Sequence, residues 1–340
     1  AAQELTEKLS TILPNNLTKH FFSDNGSTAV EVGIKMALQF WHNQSATKKN
    51  KIISFENAYH GDTFGAMSIA GKNAFNQAYS DLFFEVIQIP APTNNNFEKS
   101  IEAMNLAIDQ HEVAAFIFEP LVQGSGGMLM HSAPHLDELI RIAQSNNVIC
   151  IADEVMTGFG RTGNIFVSNI LGNKPDIICL SKGITGGFMP LGLTVASDKI
   201  YDAFYADDKM KTFFHGHSYT ANPLACAAAI ASFEILTSDV CQQNIQLICD
   251  SHQHFIAQHS HTKGISNLRS CGTILAFELE TNEGSTYFNS MRDKIYDHCL
   301  VQNILLRPLG NTIYTMPPYC VEKNDLNNIY EVMLSCTHLK

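Results

Sequence analysis

The chain has 340 residues, of which 45% are hydrophobic and 16% charged, and its formal net charge is -11. This is an ordinary globular composition, long enough for one large core or for two domains sharing a cleft. The acidic balance leaves no basic stripe to replace phosphate counterions, which argues against a nucleic-acid partner, and no run of 18 or more apolar residues marks a membrane span.

The opening stretch AAQELTEKLSTIL has an amphipathic helical pattern and lacks the charged-then-apolar layout of a secretory signal. A helix is predicted over 28–44, with Thr28 and Glu31 at capping-box spacing. KIISF (51–55), FEVIQI (84–89), VAAFIF (113–118), VICIA (148–152) and DIICLS (176–181) are short apolar runs suited to fully buried strands. Helical patterns over 97–110 and 136–146 lie between them, the alternation of a parallel sheet wrapped by helices. LGLTVAS (191–197) follows the fifth run too closely for a helical crossover and is expected to pair antiparallel. Beyond about residue 238 the texture changes to a helix ending at His259, a hairpin in LRSCGTILAFELE, and two helical patterns framing LLRPLGNTIYTMPP. The expected division is a large α/β domain over 1–237 and a small α+β domain over 238–340.

Nine cysteines, an odd number, form no CxxC pair, and Cys150 and Cys179 fall within buried runs. They read as reduced thiols of a cytoplasmic protein. His252, His254, His259 and His261 lack zinc-ligand spacing and read as a solvated helix face.

Ligands bind beyond the carboxyl ends of strands in open α/β sheets. Three predicted strand ends carry reactive groups: Glu119-Pro120, Asp153-Glu154-Val155 and Ser181-Lys182-Gly183. A desolvated lysine amine forms a Schiff base with an aldehyde. A carboxylate beside a pyridine nitrogen keeps that ring protonated as an electron sink. Singly, Asp153 reads more readily as a helix cap and Lys182 as a solvated side chain. Together, 29 positions apart in the sequence, they fit one strand-loop-strand excursion. Gly26-Ser27-Thr28 offers free backbone N–H groups at a helix start, an anion site suited to a phosphate, although caps have the same composition. Tyr59 follows the first run and offers an aromatic face to a flat ring. His60, Glu119 and Arg161 read as residues that orient or brace the site.

SDNGSTAVEVGIKMALQFW, YHGDTFGAMS, FEPLVQGSGGM, IADEVMTGFGRTG, LSKGITGGFMPLGLT and HSYTANPLACAAA occur in the order found in class III pyridoxal-phosphate-dependent aminotransferases. The chain resembles that family over essentially its whole length. GSTAVEV, DTFGAMS and RPLGNTIYTMPPY resemble the branch serving biotin biosynthesis. The resemblance implies a fold-type-I homodimer with a mostly parallel central sheet, helices on both faces, and sites at the subunit interface. It implies pyridoxal 5'-phosphate as cofactor, 8-amino-7-oxononanoate as acceptor, and S-adenosylmethionine or lysine as donor. By motif, Lys182 binds the cofactor and shuttles the proton, Asp153 pairs with the pyridinium, Tyr59 stacks on the ring, and Gly26 and Ser27 hold the phosphate. Ser218 would reach the phosphate from the other subunit, Gly216 would line the substrate pocket with Tyr59 and Lys182, and Arg307 would receive the acceptor carboxylate. Ser125 stands where ω-amino acid transaminases often carry Glu, which argues against ornithine or γ-aminobutyrate as substrate. HGHS at 215–218 replaces a Pro-Thr pair of some relatives and leaves the donor open. Family members carry several dozen residues ahead of the first helix seen here, and these contribute to the substrate pocket. The competing readings are another class III ω-aminotransferase, an aminomutase, or a shortened chain that binds cofactor without catalysis.

Overall fold

The computed structural model describes residues 1–73 and 75–339. In chain order the strands are β1 (Leu17–Ser23), β2 (Lys51–Phe55), β3 (Val86–Ile89), β4 (Val113–Phe118), β5 (Val122–Gln123), β6 (Leu129–Met130), β7 (Ile149–Asp153), β8 (Ile177–Leu180), β9 (Gly192–Ser197), β10 (Ile265–Cys271), β11 (Ile274–Leu279) and β12 (Thr312–Thr315). The α-helices are α1 (Ala2–Ser10), α2 (Gly26–Asn43), α3 (Phe64–Ala70), α4 (Phe97–Gln110), α5 (Ala133–Ser145), α6 (Asp198–Asp202), α7 (Pro223–Leu236), α8 (Asp239–His259), α9 (Met291–Val301) and α10 (Lys323–Ser335). The chain forms two compact units. The first comprises Ala1–Gln123, His131–Phe159 and Ile165–Ile235; the second comprises Gly124–Met130, Gly160–Asn164 and the chain from Leu236 on. The second unit thus takes in two short segments that lie, by sequence, inside the large domain. Half-buried Arg269 draws the first of them in by donating to the carbonyls of Gly127 and Met128. The second is held by Arg161, which donates to Pro317 O at 2.7 Å.

The first unit is a seven-stranded sheet in the order β1-β9-β8-β7-β4-β2-β3. Strands β3, β2, β4, β7 and β8 run parallel, and β9 is antiparallel to both β8 and β1. The short β8–β9 connection therefore turns the chain back, as its length requires. Both faces of the central strands are dry. Ile52, Ile117, Ile151 and Ile177 pack against Val30, Ile34 and Phe40 of α2. The alternate positions, among them Ile53, Phe116, Cys150 and Ile178, are also fully buried, with Cys150 Sγ lying 4.0 Å from Ile140 O of α5. Each large side chain so buried stabilises the unit by roughly 1.5–3 kcal/mol.

Helix α2 begins at Gly26, and its cap lies three residues earlier than the Thr28/Glu31 capping-box spacing implies. Asn25 is the cap, and its Oδ1 accepts from Thr28 N at 3.0 Å while Asn25 N donates to Thr28 Oγ1 at 3.2 Å. Thr28 is the third helical residue, and Glu31 is left to reach another element. It accepts from Thr63 Oγ1 at 2.5 Å and Ala66 N at 3.1 Å, capping α3.

The second unit holds an antiparallel sheet in the order β10-β11-β12. Phe255 of α8, Leu275 and Phe277 of β11, Ile295 of α9 and Leu326 of α10 meet in its core. Contrary to the solvated face expected for the α8 histidines, His252 is fully buried. It sits 2.6 Å from the Tyr330 hydroxyl, and burial lowers its pKa to about 4. Among the described residues no group of His, Cys, Asp and Glu is arranged to hold a metal.

Candidate active site

Parallel alignment brings the carboxyl ends of β2, β4, β7 and β8 to one edge of the first unit's sheet. Asp153 is the last residue of β7 and pairs with Cys179 of β8, three residues before Lys182. Glu119 directly follows Phe118, which pairs with Ala152, so Glu119 and Asp153 are neighbours on adjacent strands. Tyr59, His60 and Gly61 follow β2. Buried strands thus fix the residues that the spacing argument joined.

Asp153 is 5% exposed. Its Oδ2 accepts from Nδ1 of fully enclosed His60 at 2.7 Å, and its Oδ1 accepts from Val155 N at 3.1 Å. Burial acts against a charged imidazole, but the hydrogen bond and charge of Asp153, helped by Glu119, outweigh it and raise the His60 pKa. His60 Nε2 is buried with no partner among the described residues. The arrangement keeps the Asp153 carboxyl group buried and locked in orientation by a histidine behind it. That role for His60 agrees with its reading as an orienting residue.

Tyr59 is held at both ends. Its N–H donates to Glu119 Oε1 at 3.0 Å and its hydroxyl to Asp62 Oδ2 at 2.9 Å. Burial and the Asp62 carboxylate push the phenol up to about 12, so it stays neutral at physiological pH. The ring is 40% exposed, a large flat surface left uncovered at the sheet edge. Asp62 N in turn donates to Ser27 Oγ at 3.1 Å, which ties this loop to the start of α2. Gly61 makes that approach possible: its φ is +126°, and a Cβ there would lie 2.1 Å from Ser27 Oγ. The backbone N–H groups of Gly26 and Ser27 have no acceptor among the described residues, so the positive end of an 18-residue helix is free to receive an anion. Val155 closes in on Gly26, with its Cγ1 2.7 Å from where a Cβ would stand.

Lys182 has a left-handed backbone, φ +45°, two residues after the end of β8. Its side chain is exposed and has no hydrogen bond or ion pair among the described residues. Ser181 before it is buried and donates to Leu191 O at 2.7 Å, fixing the strand end. An unpaired amine on a rigid, strained turn is poised for reaction with an external group.

Two residues that carried no role by sequence belong to this neighbourhood. Glu154 is wholly buried and accepts from Val167 N and Ser168 N at 2.8 Å and from Ser168 Oγ at 2.6 Å, pinning the following loop to the end of β7. Gln123 is fully buried, gives its Nε2 hydrogen to Glu56 O at 2.9 Å, and leaves Oε1 without a partner among the described residues. Only the tertiary pairing distinguishes them; no periodicity in the sequence marks a buried amide with a spare acceptor.

Gly216 and Ser218 lie in an exposed loop shaped by His217 N to Thr220 Oγ1 at 3.4 Å. Within one chain nothing bonds them to Lys182, Asp153 or Tyr59 among the described residues. Arg307 belongs to the second unit, exposed between buried Leu306 and Pro308 and without an ion pair among the described residues. Arg161 braces the second unit, its guanidinium 4.7 Å from the Tyr319 ring centroid.

Aminotransferase class-III is the family whose model matches the chain, over residues 1–336, and the chain belongs to that family. It is similar to the adenosylmethionine-8-amino-7-oxononanoate aminotransferase of Synechococcus elongatus, with 45% identity over 97% of this chain and 78% of that protein. The crystal structure of the enzyme of that name from Methanocaldococcus jannaschii superimposes with a TM-score of 0.92 at 32% identity, covering 99% of this chain and 78% of that one. An amine transaminase from an uncultivated Pseudomonas species, solved in its PLP-bound form, gives a TM-score of 0.88 at 27% identity, covering 99% of this chain and 80% of that one.

Proposed function

We propose that the chain transfers an amino group, through pyridoxal 5'-phosphate, to the keto carbon of 8-amino-7-oxononanoate to give 7,8-diaminononanoate, with S-adenosylmethionine or lysine as donor. One observation carries the reading: a buried, histidine-locked carboxylate ends β7 beside the strand that ends in an unpaired lysine. The donor set suits the cofactor. Gly26 and Ser27 would receive the phosphate at the α2 N-terminus, Asp153 would hold a proton on the ring nitrogen, Tyr59 would cover the ring, and Lys182 would bind the aldehyde carbon. When bound, the cofactor draws electrons from the carbon next to the substrate nitrogen and so acidifies its C–H bond.

The protein's own residues do the rest. His60 holds the Asp153 carboxyl group aimed. Neutral Tyr59 supplies an apolar face without a competing charge. Lys182 Nζ would take the proton from the donor carbon as general base and, in the other half-reaction, would return a proton to the acceptor carbon as general acid. Arg307 matches the acceptor carboxylate with its guanidinium fork. The 45% identity with a relative of that name favours this acceptor over those of other ω-aminotransferases.

The reading includes a cytoplasmic homodimer in which Gly216 and Ser218 of one subunit serve the partner's site. The exposed loop around them and nine free thiols support it. Among the described residues no single helix is long and apolar enough to cross a membrane.

The test is the absorbance of the purified, cofactor-loaded protein. Wild type should show the visible-edge band of lysine-bound cofactor, bleached by S-adenosylmethionine or by lysine, and Lys182→Ala should lack both band and transfer. A Lys182→Ala variant with the wild-type spectrum and turnover would overturn the assignment.

A further inference from the structure

The turn carrying Arg307 leaves that one side chain in solvent while burying both its neighbours, Leu306 and Pro308, and the run from Gly310 to Ile313. Pro308 fixes one backbone angle. Gly310, at φ +62°, passes so close to Thr286 that a Cβ would meet its carbonyl oxygen at 1.7 Å. Leu309 and Thr312 exchange two backbone hydrogen bonds of 3.0 and 3.1 Å. The side chain that fastens this turn to the sheet is Asn311, 2% exposed. Its Nδ2 donates to Leu279 O at 2.8 Å and to Ser285 Oγ at 3.0 Å, while the Asn311 backbone carbonyl accepts from Leu279 N at 3.0 Å. Ser285 passes the connection on to Glu278 Oε2 at 2.6 Å. Glu278 pairs with Arg269 at 3.2 Å, and Arg269 holds the loop that contains Ser125.

We propose that Asn311 is a positioning residue for substrate selection: it holds the turn that aims Arg307, and so sets the preference for an acceptor bearing a terminal carboxylate. The inference rests on the role given to Arg307 under the proposed function. An arginine on an unanchored turn would sweep a wide volume and lose most of the advantage of a fixed fork, whereas one on a braced turn meets a carboxylate with little ordering left to do. Asn311 touches neither substrate nor cofactor in this scheme. It acts by geometry alone.

The experiment uses the full, cofactor-loaded chain and two acceptors, 8-amino-7-oxononanoate and the same ketone without its carboxylate. Asn311→Ala should raise KM for the keto acid about tenfold, leave kcat within about twofold, and leave the donor half-reaction and the carboxylate-free ketone unchanged. Asn311→Ser, which keeps a hydroxyl donor, should recover part of the loss. Arg307→Ala separates this proposal from its premise. If that variant keeps the preference for the carboxylate, the role of Arg307 fails. If it loses the preference while both Asn311 variants retain wild-type KM, the Asn311 proposal fails and Arg307 stands. Equal slowing of both half-reactions together with a lowered melting temperature would mark Asn311 as a brace of the fold only, and would also overturn the proposal.

Discussion

Replacing Glu154 by alanine removes the acceptor of three hydrogen bonds from a wholly buried place: two backbone N–H groups at 2.8 Å and one hydroxyl at 2.6 Å. The Ser168 hydroxyl can rotate to another acceptor; the two amides cannot. A buried donor left unsatisfied costs about 1–3 kcal/mol, so the two amides together set an expected loss of about 4 kcal/mol. Acidity then modulates that figure. Burial, partly offset by its three donors, pushes the Glu154 carboxyl from an ordinary 4.5 up to about 7. A group raised in this way contributes stability that is fully present below 4.5 and is lost as pH rises through about 7. The displacement corresponds to about 3 kcal/mol, which the wild type loses at alkaline pH and the alanine variant does not. The deficit of Glu154→Ala should therefore be about 4 kcal/mol at pH 5 and shrink to about 1 kcal/mol at pH 8.5. Urea unfolding followed by circular dichroism at the two pH values measures it. A deficit that grew with pH, or one of less than about 1 kcal/mol at pH 5, would show that the loop is not held by this carboxylate.

The other predictions concern the site directly. Asp153→Asn should break a buried charged pair, cost about 3–5 kcal/mol of stability, and abolish transfer. Because the folded His60 pKa is raised, the pair's contribution is complete below 6.5 and declines as pH rises through the raised value; unfolding at pH 6 and pH 9 should show the wild-type advantage over Asp153→Asn narrowing. Gly61→Ala forces a methyl group into Ser27 Oγ at a backbone angle costing about 1–3 kcal/mol, and cofactor affinity, read by equilibrium dialysis, should fall with it.

How much of this was legible depends on where the information sits. The central strands are readable because they are buried on both faces, so VAAFIF appears as an unbroken apolar run and needs no partner to be recognised. Strand β1 (LTKHFFS) escaped notice. It lies at the sheet edge, its pattern is mixed, and its partner β9 lies some 170 residues away. The start of α2 was misplaced for a different reason. Thr28 and Glu31 have the right chemistry for a cap, but Asn25 is equally qualified and backbone hydrogen bonding selects it. For the site, Asp153 and Lys182 were visible because each stands at the end of an apolar run. Glu154 and Gln123 were not, since their roles depend on loops folding back over them. His252 shows the converse error, a polar residue on a polar-looking helix that nonetheless finds a buried tyrosine.

Lys182 occupies a backbone region that side chains with a Cβ avoid, φ +45°. Glycine there would relax the turn and add about 1 kcal/mol to the fold. If the amine serves the proposed reaction, backbone ease and chemistry oppose one another at this position, and Lys182→Gly should exchange transfer for a more stable fold.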